Sequence, residues 1–227
     1  ITSELLKEIK KYNPVAPLHN PHIVEVMQAV HDNNGRNGNR AIANYAVFDT
    51  SFYSDLPEKS KYYPLPFEFI EKYGIRRYGF HGISHKHTYN QALAKYHKIN
   101  RMISIHLGSG CSITAIKNGK VVDTSMGFTP QEGLMMGTRT GDLDPGIISY
   151  LMNQKRYSAK TISKLISEES GLLGISGTSS EMKDLLFLAG HKVEDSKYQP
   201  NEEIKDLPKE YQHRAQLAID MFIYRIQ

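Results

Sequence analysis

Hydrophobic and polar positions change their spacing several times along the chain, and each change marks an element. Residues 15–21 hold Pro17 and Pro21 and read as a loop feeding a helix. Asn20 suits a cap, and Pro21 suits the first helical position, where no amide donor is needed. Val24, Met27 and His31 follow at helical spacing, and the Asn- and Gly-rich run 33–39 ends the pattern in a loop. Ala41 to Phe48 predicts a buried strand ending at Asp49. A proline-broken stretch, Leu56 to Pro66, leads into a short helix at Phe67 to Tyr73, and Ser84 is placed to cap a helix running to about His97.

The middle of the chain switches to period two. Met102 to Leu107 and Cys111 to Ile116 predict strands joined by the turn Gly108-Ser109-Gly110. Asn118-Gly119 predicts a hairpin, because both residues tolerate positive φ, and Lys120 to Thr124 returns as a third strand. Met126 to Asp144 is glycine-dense and aperiodic, which predicts a long ordered loop. Helices follow at about Pro145–Gln154, Ser158–Glu168, Ser180–Leu188 and from Pro208 onward. No internal repeat is present. The expected class is α/β with mixed sheets.

Composition narrows the function classes. The 227 residues, 40% hydrophobic and 23% charged, suit one large domain or two modest ones. Lys+Arg 28 against Asp+Glu 24 gives a net charge of +4, too mild and too dispersed for nucleic acid as the main partner. A single cysteine, Cys111, rules out an intramolecular disulfide and points to a reducing compartment. No apolar run reaches the ~18 residues of a membrane span and no secretory signal opens the chain, so a soluble, cytoplasmic protein is expected. Residue 1 is Ile, and the final helical pattern stops without a Gly or Pro signal. That pattern places Leu217, Met221 and Tyr224 on one face with Phe222 and Ile226 beside it. A fragment of a longer chain is the expectation.

Four segments could carry chemistry. The turn Gly108-Ser109-Gly110 could present amides as an anion nest, or be a plain hairpin turn. It is neither a Walker A motif nor a dinucleotide fingerprint. Arg139 lies in the loop between Gly137 and Gly141, where it could fork onto a phosphoryl or carboxylate group, or pair at the surface with Asp142 or Asp144. His81, His85 and His87 fall within seven residues, but no Glu completes an H-E-x-x-H pattern. Asp49 could be a ligand-facing carboxylate at a strand's end or a turn or cap aspartate.

Together these segments resemble the acetate kinase family, within the acetate and sugar kinase, Hsp70 and actin superfamily. The matching stretches are 16–21, 47–50, 78–85, 106–110, 123–145 and 171–180, in the family's order. Asp123-Thr124-Ser125-Met126-Gly127-Phe128-Thr129-Pro130 followed by Glu132 to Arg139 is the most specific of them. The resemblance implies an RNase H-like fold in two lobes, with residues 1–49 completing the first and 50–227 making most of the second. It implies reversible transfer of the ATP γ-phosphoryl group to acetate, giving acetyl phosphate and ADP, with magnesium, in a homodimer. Propionate or butyrate kinase, or a non-catalytic nucleotide-binding or dimerisation module, are the alternatives.

By the family pattern Asp49 is the active-site carboxylate, and His81 and Arg139 are the transition-state stabilisers. His106, Leu107, Gly108, Ser109 and Gly110 form the phosphate turn, Glu181, Met182 and Lys183 lie at the adenosine, and His19 and Pro130 lie near the acyl pocket. No metal ligand is assigned within the chain. Ser109 stands where the family usually has Asn, and Glu181-Met182-Lys183 where it usually has Asp-Phe-Arg, which removes a stacking face and a forked donor. The family's Asn-x-Gly-Ser-Ser-Ser, His-Arg-Val-Val-His-Gly-Gly and Gly-Ile-Gly-Glu-Asn segments and its late magnesium-binding glutamate do not occur. These residues alone are therefore expected to turn over little or no substrate.

Overall fold

A computed structural model describes residues 1–13, 20–34 and 43–227. In chain order they form α1 (Ser3–Lys10), α2 (Asn20–Asn33), a 3-10 turn (Asp49–Tyr53), α3 (Glu58–Lys61), α4 (Phe67–Tyr73), α5 (Gly82–Tyr96), β1 (Arg101–Leu107), β2 (Cys111–Lys117) and β3 (Lys120–Thr124). The second half is helical: α6 (Pro145–Gln154), α7 (Ala159–Glu168), α8 (Gly171–Ser176), α9 (Met182–Leu188), α10 (Glu202–Lys205) and α11 (Lys209–Ile226). The result is a mixed α/β fold with a small sheet. Its three strands pair in sequence order, antiparallel throughout, from Leu107 opposite Cys111 to Lys117 opposite Lys120.

Local chemistry explains most boundaries. Asn118 and Gly119 both adopt positive φ, 51° and 81°, as the two-residue hairpin between β2 and β3 requires. Asp144 caps α6 by accepting from the Gly146 amide, with Pro145 in the first turn, and Ser158 caps α7 by accepting from Thr161. Gly74, in the left-handed region, closes α4.

Three sequence expectations are corrected. Residues 43–48 are not a strand. Tyr45 and Val47 are 86% and 75% exposed, and among the described residues no strand offers them a ladder partner. Ser84 does not cap α5; the helix begins at Gly82, and Ser84 Oγ instead contacts His106 Nδ1 at 2.9 Å. The buried face of α11 is also rotated from the expected one. Ala215, Ala218, Ile219 and Phe222 are buried, whereas Leu217 and Tyr224 are 43% and 73% exposed. Close packing of α11 on α8 and α9 favours small alanines at the contact, so the largest hydrophobics do not mark the interface.

The core lies between that helical group and the long loop. Met126, Leu134, Met135 and Met136 of the loop pack with Cys111, Leu172, Leu185, Leu188 and the buried face of α11. A buried loop must place its own amides and carbonyls. Here Met136 N–H donates to Arg139 O, Gly137 N–H to Ser109 O, Thr140 N–H to Ile166 O and Asp142 N–H to Gly133 O. Arg77 fastens its start, with Nη1 on the Thr124 and Ser125 carbonyls and Nη2 on Glu132 at 2.6 Å. Leu185 is fully buried between these parts. Leu185→Ala is expected to lower unfolding free energy by ~2–5 kcal/mol in urea denaturation, with the m-value unchanged.

Candidate active site

The site begins with the entry to α5. Its N-cap, His81, sits in the left-handed region at φ 60°, and its own side chain makes no capping bond. Asp49 supplies the cap from 32 residues away: Oδ2 accepts from the His81 amide at 2.5 Å. Oδ1 accepts from the Ile83 amide at 3.1 Å. A negative group on the first amides of a helix also meets the positive end of its dipole. Gly82 is what permits the approach, since a Cβ there would lie 2.0 Å from the Asp49 carbonyl. Of the two sequence readings of Asp49 the cap is the one seen, and it places the carboxylate beside the candidate histidine.

The ring of His81 is held from the sheet. Its Nδ1 lies 2.9 Å from Ser112 Oγ, and the ring stacks on His106 with centroids 4.1 Å apart. Nε2 makes no hydrogen bond to another described residue. A methyl group on Gly110 would sit 3.3 Å from His81 Nε2 and 3.6 Å from Arg139 Nη1, so both side chains border one point beside the glycine turn. Arg139 is steered there by the Pro130 carbonyl, which accepts from Nη1 at 3.1 Å. Its expected surface partners are engaged elsewhere, Asp142 on the Gly133 amide and Asp144 on the Gly146 amide.

The turn closes with Gly108 N–H on the Gly110 carbonyl at 3.1 Å, and Leu107 and His106 lead into it from β1. The Ser109 carbonyl accepts from the Gly137 amide, and a methyl on Gly137 would lie 3.1 Å from the Ser180 carbonyl. The turn, the arginine loop and the residue before Glu181 therefore form one seam. Beyond it the grouping loosens. Met182 packs against the core, and Lys183 turns to Asp195 at 2.5 Å. His19 lies outside the described residues.

Residues that sequence reasoning gave no role complete the picture. His85 is fully buried, with Nε2 2.7 Å from Ser112 Oγ and Nδ1 2.8 Å from Ser104 Oγ. Tyr53 Oη donates to the Phe80 carbonyl at 2.6 Å and lies 3.1 Å from Thr114 Oγ1. The available signal was the placement of Ser104, Ser112 and Thr114 in otherwise apolar strands, at positions that face α5. Among the described residues no group of three or more His, Cys, Asp or Glu converges to hold a metal ion. The carboxylate of Asp49, beside His81, already accepts two amides. A magnesium ion there would need phosphate oxygens and water for most of its ligands.

Burial pushes the pKa of His81 down to about 4; His106 adds to this, Asp49 opposes it, and Arg139 lowers it further. Burial likewise takes His85 to about 4, with His81 and His106 contributing. Burial also lowers the Arg139 guanidinium from its usual value, leaving it charged at neutral pH. Among the described residues, Arg139 is therefore charged at neutral pH beside the neutral imidazoles of His81 and His85.

Residues 1–227 match the acetokinase family over their whole length. The acetate kinase of Thermoanaerobacterium thermosaccharolyticum is 42% identical over 230 residues, covering all of this chain and 52% of the relative. That of Staphylococcus carnosus is 44% identical over 229 residues, with 52% of its length covered. Among solved structures, Porphyromonas gingivalis acetate kinase superposes with a TM-score of 0.79 at 38% identity, over all of this chain and 51% of that one. A propionate kinase from Francisella tularensis gives 0.82 at 37% identity, over all of this chain and 53% of that one. The chain belongs to the acetokinase family, and it spans about half the length of these relatives.

The depressed histidines give a pH test. A histidine with a folded pKa near 4 and an unfolded value near 6.5 binds more protons when unfolded in that window. Stability is therefore full above the unfolded value and is lost as pH falls toward the folded one. The slope is at most ~1.4 kcal/mol per pH unit for each group. Urea midpoints are expected to fall between about pH 7 and 5, and less steeply in His81→Asn than in the parent.

Proposed function

We propose that the protein this chain belongs to is an acyl kinase, transferring the γ-phosphoryl group of ATP reversibly to acetate. The observation that carries the proposal is the convergence of His81 Nε2 and Arg139 Nη1 beside Gly110, in a chain of the acetokinase family. An acetate oxygen attacks phosphorus in line with the departing ADP oxygen. The P–O bond to ADP breaks as the bond to acetate forms, and negative charge spreads over three equatorial oxygens. His81 and Arg139 are placed to donate to those oxygens. Acetate is already ionised near pH 7, so Asp49 has no proton to remove from it. Its part is to hold the His81 backbone through the entry of α5.

His106 to Gly110 would line the phosphates, with His106 supporting the His81 ring, and Ser180-Glu181 would continue toward the nucleoside. Lys183 is committed to Asp195, so its contribution to adenosine binding requires that exposed ion pair to open. Pro130 acts through Arg139 in this reading, and His19 is retained as an acyl-pocket residue. Magnesium would neutralise phosphate charge when bound, and no step here depends on a protein cage for it. A boundary between two lobes near Asp49, a homodimer and a cytoplasmic location belong to the same proposal. So does the acyl chain. The likeness to a propionate kinase is as close as that to an acetate kinase, and one methylene alters selectivity by only ~1–3 kcal/mol.

The test is hydroxylamine trapping of acyl phosphate from acetate, ATP and magnesium, using a protein of full family length that carries this segment. Arg139→Ala is expected to cut kcat by roughly 10²–10³, the scale of one lost transition-state donor. An unchanged kcat in that variant would remove Arg139 from the mechanism.

A further inference from the structure

A neutral imidazole donates a hydrogen bond from only one of its two nitrogens, so the value of His81 to the site depends on which nitrogen carries the proton. The buried row behind it bears directly on that choice. Ser104 Oγ meets His85 Nδ1 at 2.8 Å, His85 Nε2 meets Ser112 Oγ at 2.7 Å, and Ser112 Oγ meets His81 Nδ1 at 2.9 Å. Ser104, His85 and Ser112 are all within 2% of full burial, so water does not reset the pattern.

Each hydroxyl in the row has one hydrogen, and each neutral ring has one N–H. A pattern in which both rings donate to Ser112 leaves the hydrogen of that buried hydroxyl without an acceptor among the described residues, and two directions remain. In one, Ser104 donates to His85 Nδ1, His85 Nε2–H donates to Ser112, and Ser112 donates to His81 Nδ1. His81 then carries its proton on Nε2. In the other, every bond reverses, His81 Nε2 becomes a bare lone pair, and the Ser104 hydrogen has to find a different acceptor. Among the described residues Ser104 Oγ has no hydrogen-bond partner besides His85. A buried donor left unsatisfied costs ~1–3 kcal/mol, and buried orphan donors are rarer than under-used acceptors. The first direction gives every buried hydrogen an acceptor and leaves only the His81 Nε2 hydrogen without one among the described residues, at the half-buried end of the row that faces the site.

We propose that Ser104, His85 and Ser112 are positioning residues that lock His81 in its Nε2–H tautomer, presenting a neutral donor at the point shared with Arg139 and Gly110. Their relevance to catalysis rests on the acyl kinase reading. The tautomer itself does not. With the opposite polarity a lone pair would face the phosphoryl oxygens, and the family-pattern role of His81 would fail even with its ring in place.

The experiment is long-range nitrogen-15 correlation spectroscopy of the histidine-labelled protein at neutral pH, without nucleotide. The His81 Nδ1 signal is expected at the unprotonated, acceptor-type shift and Nε2 at the protonated shift, with the same assignment for His85. Ser104→Ala removes the terminal donor two links away and touches no atom of His81. It is expected to move the two His81 ring signals toward each other as the two directions become populated, and Ser104→Thr is expected to restore the parent pattern. A parent His81 protonated on Nδ1 would overturn the proposal. So would a Ser104→Ala protein that changes the His85 signals and leaves those of His81 where they were. Should the row behave as expected while Arg139→Ala leaves acyl phosphate formation unchanged, the functional reading would fail and the tautomer lock would stand.

Discussion

The contact on which the site depends is the carboxylate of Asp49 laid across the first amides of α5. A helix that starts from a histidine in the left-handed region begins with unsatisfied donors and a backbone conformation a side chain rarely adopts. Asp49 takes the amides of His81 and Ile83 with its two oxygens, and Gly82 lets the two backbones meet. The 3-10 turn is thereby fixed to the helix. Tyr53, one turn further on, carries the link to the Phe80 carbonyl and to Thr114 in β2. One short segment thus sets the backbone of His81, while the sheet sets its ring.

That arrangement explains why β1 has a polarity the reverse of the usual one. Ser104, Ser112 and Thr114 are buried and His106 half-buried, whereas Ile103, Ile105 and Leu107 of β1 are exposed. Burying hydroxyls and imidazoles costs free energy unless each finds a partner, and here the partners are one another. The helix lies over a polar sheet face because histidines 81, 85 and 106 and serines 84, 104 and 112 satisfy each other across it. The larger apolar cluster lies with the loop methionines and the helices α8, α9 and α11, joined by Cys111 of β2.

Features set by neighbouring residues were legible in the sequence, and those set by distant ones were not. The hairpin at Asn118-Gly119, the cap of Ser158 and the start at Asp144-Pro145 each follow from two or three adjacent residues. The face of α11 was misread because Ala215 and Ala218 count little as hydrophobes yet are what a close helix contact needs. The run 41–48 has a strand's composition, but a strand exists only by pairing, and its described part, 43–48, has no paired strand among the described residues. In the site, Asp49, His81, Arg139 and the glycine turn were open alternatives residue by residue, and their place in a family pattern singled them out. The bonds of His85 reach across 19 and 27 residues to Ser104 and Ser112, a separation at which no local pattern carries information.

The electrostatics favour one charged donor and one neutral one. Were His81 protonated, a second cation would stand beside Arg139 and against the stacked ring of His106, in surroundings that burial has partly dried. Burial, His106 and Arg139 all oppose that charge, and Asp49 opposes them without reversing the outcome. An imidazole that stays neutral still donates a hydrogen bond if its proton is on the correct nitrogen. A row of buried hydroxyls can decide the nitrogen without adding charge. On the proposed reading, the negative charge that develops on transfer then meets the full positive charge of Arg139 and the oriented dipole of His81, with no repulsion between two protonated side chains to overcome.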